Sequence, residues 1–244
     1  MYNGQRGLVD VPGVTSILRN IDKSGLGFAR ANESAKCAWS DLGKLVDWAI
    51  QREEKAFINH VKGAAQRKWG QAADLGTEVH ALAEARFHGE DLGRVHPDHA
   101  GFVSQLDKWI KDFDVEPIEI EATCWNETLG YAGTADLIAR VAGEVILVDL
   151  KTGASGIFPD VALQLSAYVH AEFLVDASGE RRELPELSGA AALSLRPDHY
   201  SLVPVNVDDS VFDIFRHLVA VSQWQRDISR SVLGAPVQPE TSGV

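Results

Sequence analysis

The spacing of apolar residues divides the chain in two. Up to about residue 115 apolar positions recur at helical intervals, and beyond it runs that alternate with period two are interleaved with further helical patterns. In the first part, Ile17, Leu18 and Ile21 follow Thr15 and Ser16, either of which suits a helix N-cap. Trp39, Leu42, Leu45, Val46 and Ala49 predict one helix over about 32–51. Another is expected from about Asp74 to Glu84, with Gly76 in its first turn and His80 and Glu84 on one face. A helix opening at Asp98 carries Phe102, Leu106, Trp109, Ile110 and Phe113 as a core stripe.

In the second part, Pro117 to Trp125 reads as a strand with Ile118, Ile120, Ala122 and Cys124 on one face. Glu119, Glu121 and Thr123 take the other, which is expected to be exposed; Glu121 is a lesser candidate for an acidic cluster. The stretch YAGTADLIARVAGEVILVDLKTG, from Tyr131 to Gly153, reads as two β-branched runs meeting at a turn near Ala142-Gly143. Each run carries a carboxylate, Asp136 and Asp149. Alternation puts Asp149 and Lys151 on one face, expected to hold chemistry, and Ile146, Val148 and Leu150 on the other, expected to be core. A two-residue turn at Ala142-Gly143 sets Asp136 opposite Asp149; sliding it one residue sets Asp136 opposite Lys151. Either register gathers the three residues, and paired carboxylates on a sheet repel unless something such as a divalent cation compensates them.

A helix over about 160–175 then places Gln164 and Tyr168 on one face. A hairpin is expected over 191–196 and 200–205, turning at Pro197-Asp198-His199, and a last helix from about Asp208 to Ser231. The pattern predicts an α/β fold with a central mixed β-sheet flanked by helices. We read one domain over 1–233, with a helical N-terminal portion at about 14–115 and a sheet-centred core at about 116–233. Residues 234–244 are expected to be a disordered tail.

Composition narrows the partners. The 244 residues are 45% hydrophobic, enough for a substantial core, and the formal net charge of -12 argues against a broadly basic nucleic-acid surface. Any phosphate contact must be local. Arg52, Lys55, Lys62, Arg67 and Lys68 form the densest basic patch, either a solvated helix face or a surface that tracks a phosphate backbone. Cys37 and Cys124 are too few for a disulfide framework or a four-cysteine cluster. His88, His96 and His99 fit no compact zinc motif. The start has no apolar leader pattern and no stretch is long enough to span a membrane, so a soluble, cytoplasmic protein is expected.

A histidine on a helix, Gly-Thr-Ala-Asp on a strand, Asp-Leu-Lys on the next, then Gln and Tyr on a helix: in this order the sequence resembles the PD-(D/E)XK nuclease superfamily, in particular its RecB-like exonuclease branch. The matching residues are His80 in GTEVH, Asp136 in GTAD, Asp149 and Lys151 in VDLKTG, and Gln164 with Tyr168 in QLSAY. The N-terminal VPGVTSIL and the length also resemble the small bacteriophage exonucleases of this branch. The resemblance implies a restriction-endonuclease-like core and a deoxyribonuclease of recombination, repair or phage DNA processing, in the cytoplasm of a bacterial or phage-infected cell. It implies that His80, Asp136, Asp149 and the backbone carbonyl of Leu150 bind one or two magnesium or manganese ions. Lys151 would orient the attacking water or neutralise charge on the phosphate, and Gln164 and Tyr168 would position Lys151 or the DNA backbone. Linear DNA ends are the implied substrate, with a homo-oligomer or a single-strand-annealing or recombination partner open. No iron–sulfur cluster is expected, since two cysteines cannot hold one.

Other readings lose ground. Lys151-Thr152-Gly153 matches one element of the serine β-lactamases, but the Ser-x-x-Lys and Ser-Asp-Asn elements are missing. The Gly-Lys-Thr order of a phosphate-binding loop is missing too. A catalytically idle relative that binds DNA ends as a scaffold stays open, and bound metal at Asp136 and Asp149 would discriminate against it.

Overall fold

The computed structural model describes residues 10–21, 24–176 and 178–237. The β-branched runs form strands β1 (Glu116–Asn126), β2 (Tyr131–Val141) and β3 (Glu144–Lys151), an antiparallel meander. Ala142 and Gly143 both take positive φ, 49° and 91°, as a two-residue turn matched to strand twist requires. That turn pairs Val141 with Glu144 and Leu137 with Val148, so the first of the two expected registers holds.

After β3 come helix α7 (Asp160–Val169), short strands β4 (Phe173–Val175) and β5 (Arg181–Arg182), then β6 (Gly189–Leu195) and β7 (Tyr200–Val205). β6 returns parallel to β3, and β6 and β7 are the expected hairpin. The sheet is mixed, in the order β5-β4-β1-β2-β3-β6-β7. The helix expected to reach residue 175 stops at Val169, and Phe173 to Val175 pair with β1 instead. A three-residue apolar run suits helix and strand equally, and the open edge of β1 decides.

Helices cover both faces. On one side α1 (Val14–Leu18), α7 and α8 (Asp209–Gln223) pack on Ala122, Cys124, Ile138, Leu147 and Ala192. On the other, α5 (Ala64–Phe87) and α6 (Pro97–Asp112) pack on Leu137, Ala139, Val148, Leu150 and Leu193. This corrects the expectation of one core face and one face for chemistry. Leu147, two residues before Asp149, is buried under α7 and α8, so the polar groups sit only at the end of the hairpin.

The helices differ from the sequence pattern mainly at their ends. Residues 32–51 form two helices, α2 (Ser24–Ser40) and α3 (Leu42–Ile50), interrupted at Asp41. Ser40 Oγ turns back to the Cys37 carbonyl, 3.2 Å away, the kind of local bond that competes with helix continuation. α4 (Glu54–Lys62) follows. α5 begins ten residues earlier than expected, so Gly76 lies mid-helix, where a Cβ would come within 3.1 Å of Thr152 Oγ1. α1 is capped by Gly13, not by Thr15 or Ser16, and α6 by His96, whose Nδ1 accepts the Asp98 amide. Beyond α8 a π turn (Trp224–Ile228) and a 3-10 turn (Ser229–Ser231) reach the expected limit. The expected tail lies, from residue 238 on, outside the described residues. Among the described residues no helix is long and apolar enough to cross a membrane.

Candidate active site

The hairpin register brings Asp136 and Asp149 to the same level of adjacent strands, one step beyond the Leu137–Val148 pair. Asp136 Oδ2 accepts the backbone N–H of Leu150 at 2.6 Å. Leu150 thus touches the site through its amide, whereas the resemblance implies a role for its carbonyl. Asp149 is 2% exposed, and its Oδ2 lies 2.5 Å from Lys151 Nζ without the alignment of a hydrogen bond. Burial raises the pKa of Asp149, and the Asp136 charge adds to this; Lys151 and, more weakly, His80 oppose it.

Lys151 is held from the other side by α7. Its Nζ donates to Gln164 Oε1 at 3.4 Å, and Gln164 Nε2 donates to the Tyr168 hydroxyl at 3.4 Å. The spacing of four on one helix face makes this relay. Tyr168 is buried against β2, where Gly133 leaves room for its ring: a Cβ there would meet Tyr168 Cε1 at 2.5 Å. The glycine of Gly-Thr-Ala-Asp is therefore a packing requirement of the tyrosine four residues after the glutamine. Arg196, just after β6, donates to the carbonyls of Lys151 and Gly153 and ties down the chain leaving β3.

α5 supplies the opposite wall. His80 Nδ1 is 3.8 Å from Asp136 Oδ2, and one ligand atom each from His80, Glu121 and Asp136 lie within 4.8 Å of one another. Gly76, His80, Glu84, Glu121 and Asp136 line an open cavity of about 450 Å³. Asp149 is not one of the three, and its Oδ2 faces Lys151 instead.

Glu121 is the residue that strict alternation misplaces. It was expected on an exposed strand face, but its φ is +48°, the left-handed region that a glutamate seldom occupies in a strand. Ile120 packs towards α5 and α6, while Ala122 and Cys124 pack towards α7 and α8. The face of the strand therefore switches at Glu121 and turns its carboxylate towards Asp136 and His80. Irregularities of this kind re-aim side chains next to sites. No local signal in the sequence marks the switch. Burial first, then the charges of Asp136 and Glu84, push the Glu121 carboxyl up to about 7.

Two carboxylates and an imidazole around one cavity, with a buried Asp149 oxygen that lacks an aligned donor beside them, are a group that could hold a metal ion. The search of family models matched none to this chain, and no curated protein matches it.

Proposed function

We propose that this chain is a metal-dependent deoxyribonuclease that degrades linear DNA from its ends, built on a restriction-endonuclease-like core. One observation carries the reading. The five sequence elements of the resemblance, scattered from residue 76 to residue 168, converge at one end of the β2–β3 hairpin in contact or near-contact with one another.

His80, Glu121 and Asp136 would hold the magnesium or manganese ion, with Asp149 and the Leu150 backbone beside them. Such an ion supplies Lewis acidity towards a phosphoryl oxygen and lowers the pKa of a water it holds. The protein's own part is positional and electrostatic. Asp149 and Gln164 grip the Lys151 ammonium from two sides, so it needs no reorganisation as negative charge grows on the phosphate. Tyr168 fixes the Gln164 amide and so the direction in which its oxygen faces Lys151. Hydrolysis then delivers hydroxide to phosphorus and a proton to the leaving sugar oxygen.

The basic patch contributes less than its sequence suggests. Lys68 and Lys36 both pair with Glu33, at 2.9 and 3.0 Å, which leaves less charge for phosphates. DNA binding is accordingly expected to be weak and to fall as salt rises.

The test is end-labelled linear DNA beside a covalently closed circle, with magnesium, manganese or EDTA. Metal-dependent loss of the linear substrate alone is expected, and the position of the label gives the polarity. Folded protein that cleaves neither substrate under any metal would overturn the reading and favour a DNA-end-binding scaffold.

A further inference from the structure

We propose that Cys37, Asp41 and His60 form a second metal site, independent of the one at the hairpin, that takes zinc and pins α2, the start of α3 and α4 together. One ligand atom from each lies within 4.8 Å of the others. Asp41 Oδ2 is the centre of the group, 2.6 Å from His60 Nε2 and 3.9 Å from Cys37 Sγ. Zinc bonds of about 2.0–2.3 Å in a tetrahedron set ligand atoms roughly 3.3–3.8 Å apart. The sulfur–oxygen edge must shorten by about 0.1 Å or more to enter that range, and the imidazole must withdraw by about 0.7 Å.

The surroundings hold the ligands in position. Ser40 Oγ lies 3.2 Å from Asp41 Oδ1, leaving Oδ2 for the metal. Arg67 Nη2 donates to the His60 carbonyl at 2.9 Å and stands 3.7 Å from Cys37 Sγ, so it ties α5 to both ligand-bearing segments. Sulfur and imidazole select zinc over magnesium. On binding, the Cys37 thiol proton leaves to solvent and the Nε2 proton that bonds Asp41 leaves too, so that His60, neutral with its proton on Nδ1, gives the Nε2 lone pair.

A second observation asks for such a staple. α4 buries no residue, α3 buries only Leu45, and no described side chain of α2 is buried. Helices with so little core are the ones that small proteins secure with metals or disulfides. Without a metal, the Asp41–His60 contact is a half-buried tie between the start of α3 and α4.

Cobalt(II) replaces zinc and reports on its ligands. Metal-free full-length protein titrated with cobalt should bind with sulfur-to-cobalt charge-transfer absorption that zinc abolishes. Cys124 cannot produce that signal, being fully buried in the core with its thiol pushed up to about 12. The absorption should vanish in Cys37→Ser, need at least tenfold more cobalt in His60→Ala, and persist in Asp136→Ala, which separates this site from the proposed catalytic one. Cys37→Ser keeps the Asp41–His60 pair and removes no residue of the core clusters, so zinc should raise the melting temperature of the wild type and not of this variant. Wild-type protein without the absorption, or undiminished absorption in folded His60→Ala, would overturn the proposal.

Discussion

Along β2 and β3 the side chains of Leu137, Ile138, Ala139, Leu147 and Val148 are wholly excluded from solvent, and helices cover both faces. Along α2 and α3, Trp39 is 82% exposed and Ile50 75% exposed, and Leu42 and Val46 lie open beside them. The first region fixes its polar groups by packing buried strand residues around them. The second carries its chemistry on helices tied by a few polar contacts. Two-sided burial gives the hairpin the rigidity that placing a lysine between a carboxylate and an amide demands. The helical extension has no such support, so changes there should act locally and changes in the hairpin globally.

The largest expected effect lies in the hairpin, on activity rather than stability. Asp136→Ala and Lys151→Ala should each lower DNA cleavage by about a thousandfold or more. Melting temperatures should fall as well, because Lys151→Ala leaves the buried Asp149 without its cation and Asp136→Ala leaves the Leu150 N–H without its acceptor, so cleavage is compared on protein shown to be folded. Near-normal cleavage by folded Lys151→Ala protein would remove the lysine from the mechanism.

Next in size is the core beneath those residues. Leu147 is fully buried on the face shared with Asp149, so Leu147→Ala should cost about 2–5 kcal/mol in chemical denaturation. A loss under about 1 kcal/mol would mean that the hairpin is no better packed than the helices around α3, and the comparison would fail.

How much of this could be read from the chain follows the same division. The hairpin was legible because alternation, β-branching and an Ala-Gly turn agree, and they reduced the register to two choices; the positive φ of Gly143 and Ala142 chose between them. Gln164 and Tyr168 were legible as a pair from their spacing, although only the packing explains why Gly133 must precede them. Glu121 was not legible as a site residue, because alternation assumes an unbroken strand and the switch at φ +48° is set by tertiary packing. Asp41 was hidden for a similar reason: the helical spacing of Trp39, Leu42 and Val46 runs straight through the break between α2 and α3. A stripe with helical period predicts a helix but not whether anything covers it.

A smaller effect sharpens the contrast through pH. In EDTA the folded state keeps a proton on Glu121 up to about 7, whereas the unfolded chain releases it near 4.5. The folded state therefore binds more protons in that window, and stability should decline as pH rises through it. Asp149, also raised by burial, acts in the same direction. Melting curves in EDTA should shift downward between pH 5 and pH 7.5, and Glu121→Gln should flatten part of that slope. Manganese should restore the wild type at the upper pH more than the variant. A slope unchanged in Glu121→Gln would show that its carboxyl is not crowded in solution.

The smallest expected effect is at the exposed stripe of the helical extension. Trp39→Ser and Ile50→Ser remove large apolar side chains that in the isolated chain lie mostly in water. Each should change the unfolding free energy by no more than about 0.5 kcal/mol, as surface substitutions without partners do. The measurement is denaturant unfolding at low protein concentration with EDTA present, so that neither proposed metal site contributes. The interpretation rests on comparing these two variants with Leu147→Ala at matched conditions, since all three delete apolar surface and differ in what surrounds it. A loss of 1 kcal/mol or more in Ile50→Ser would mean that the stripe is covered in solution. Concentration dependence of that loss would then identify the cover as a second copy of the chain, because only intermolecular burial is diluted away.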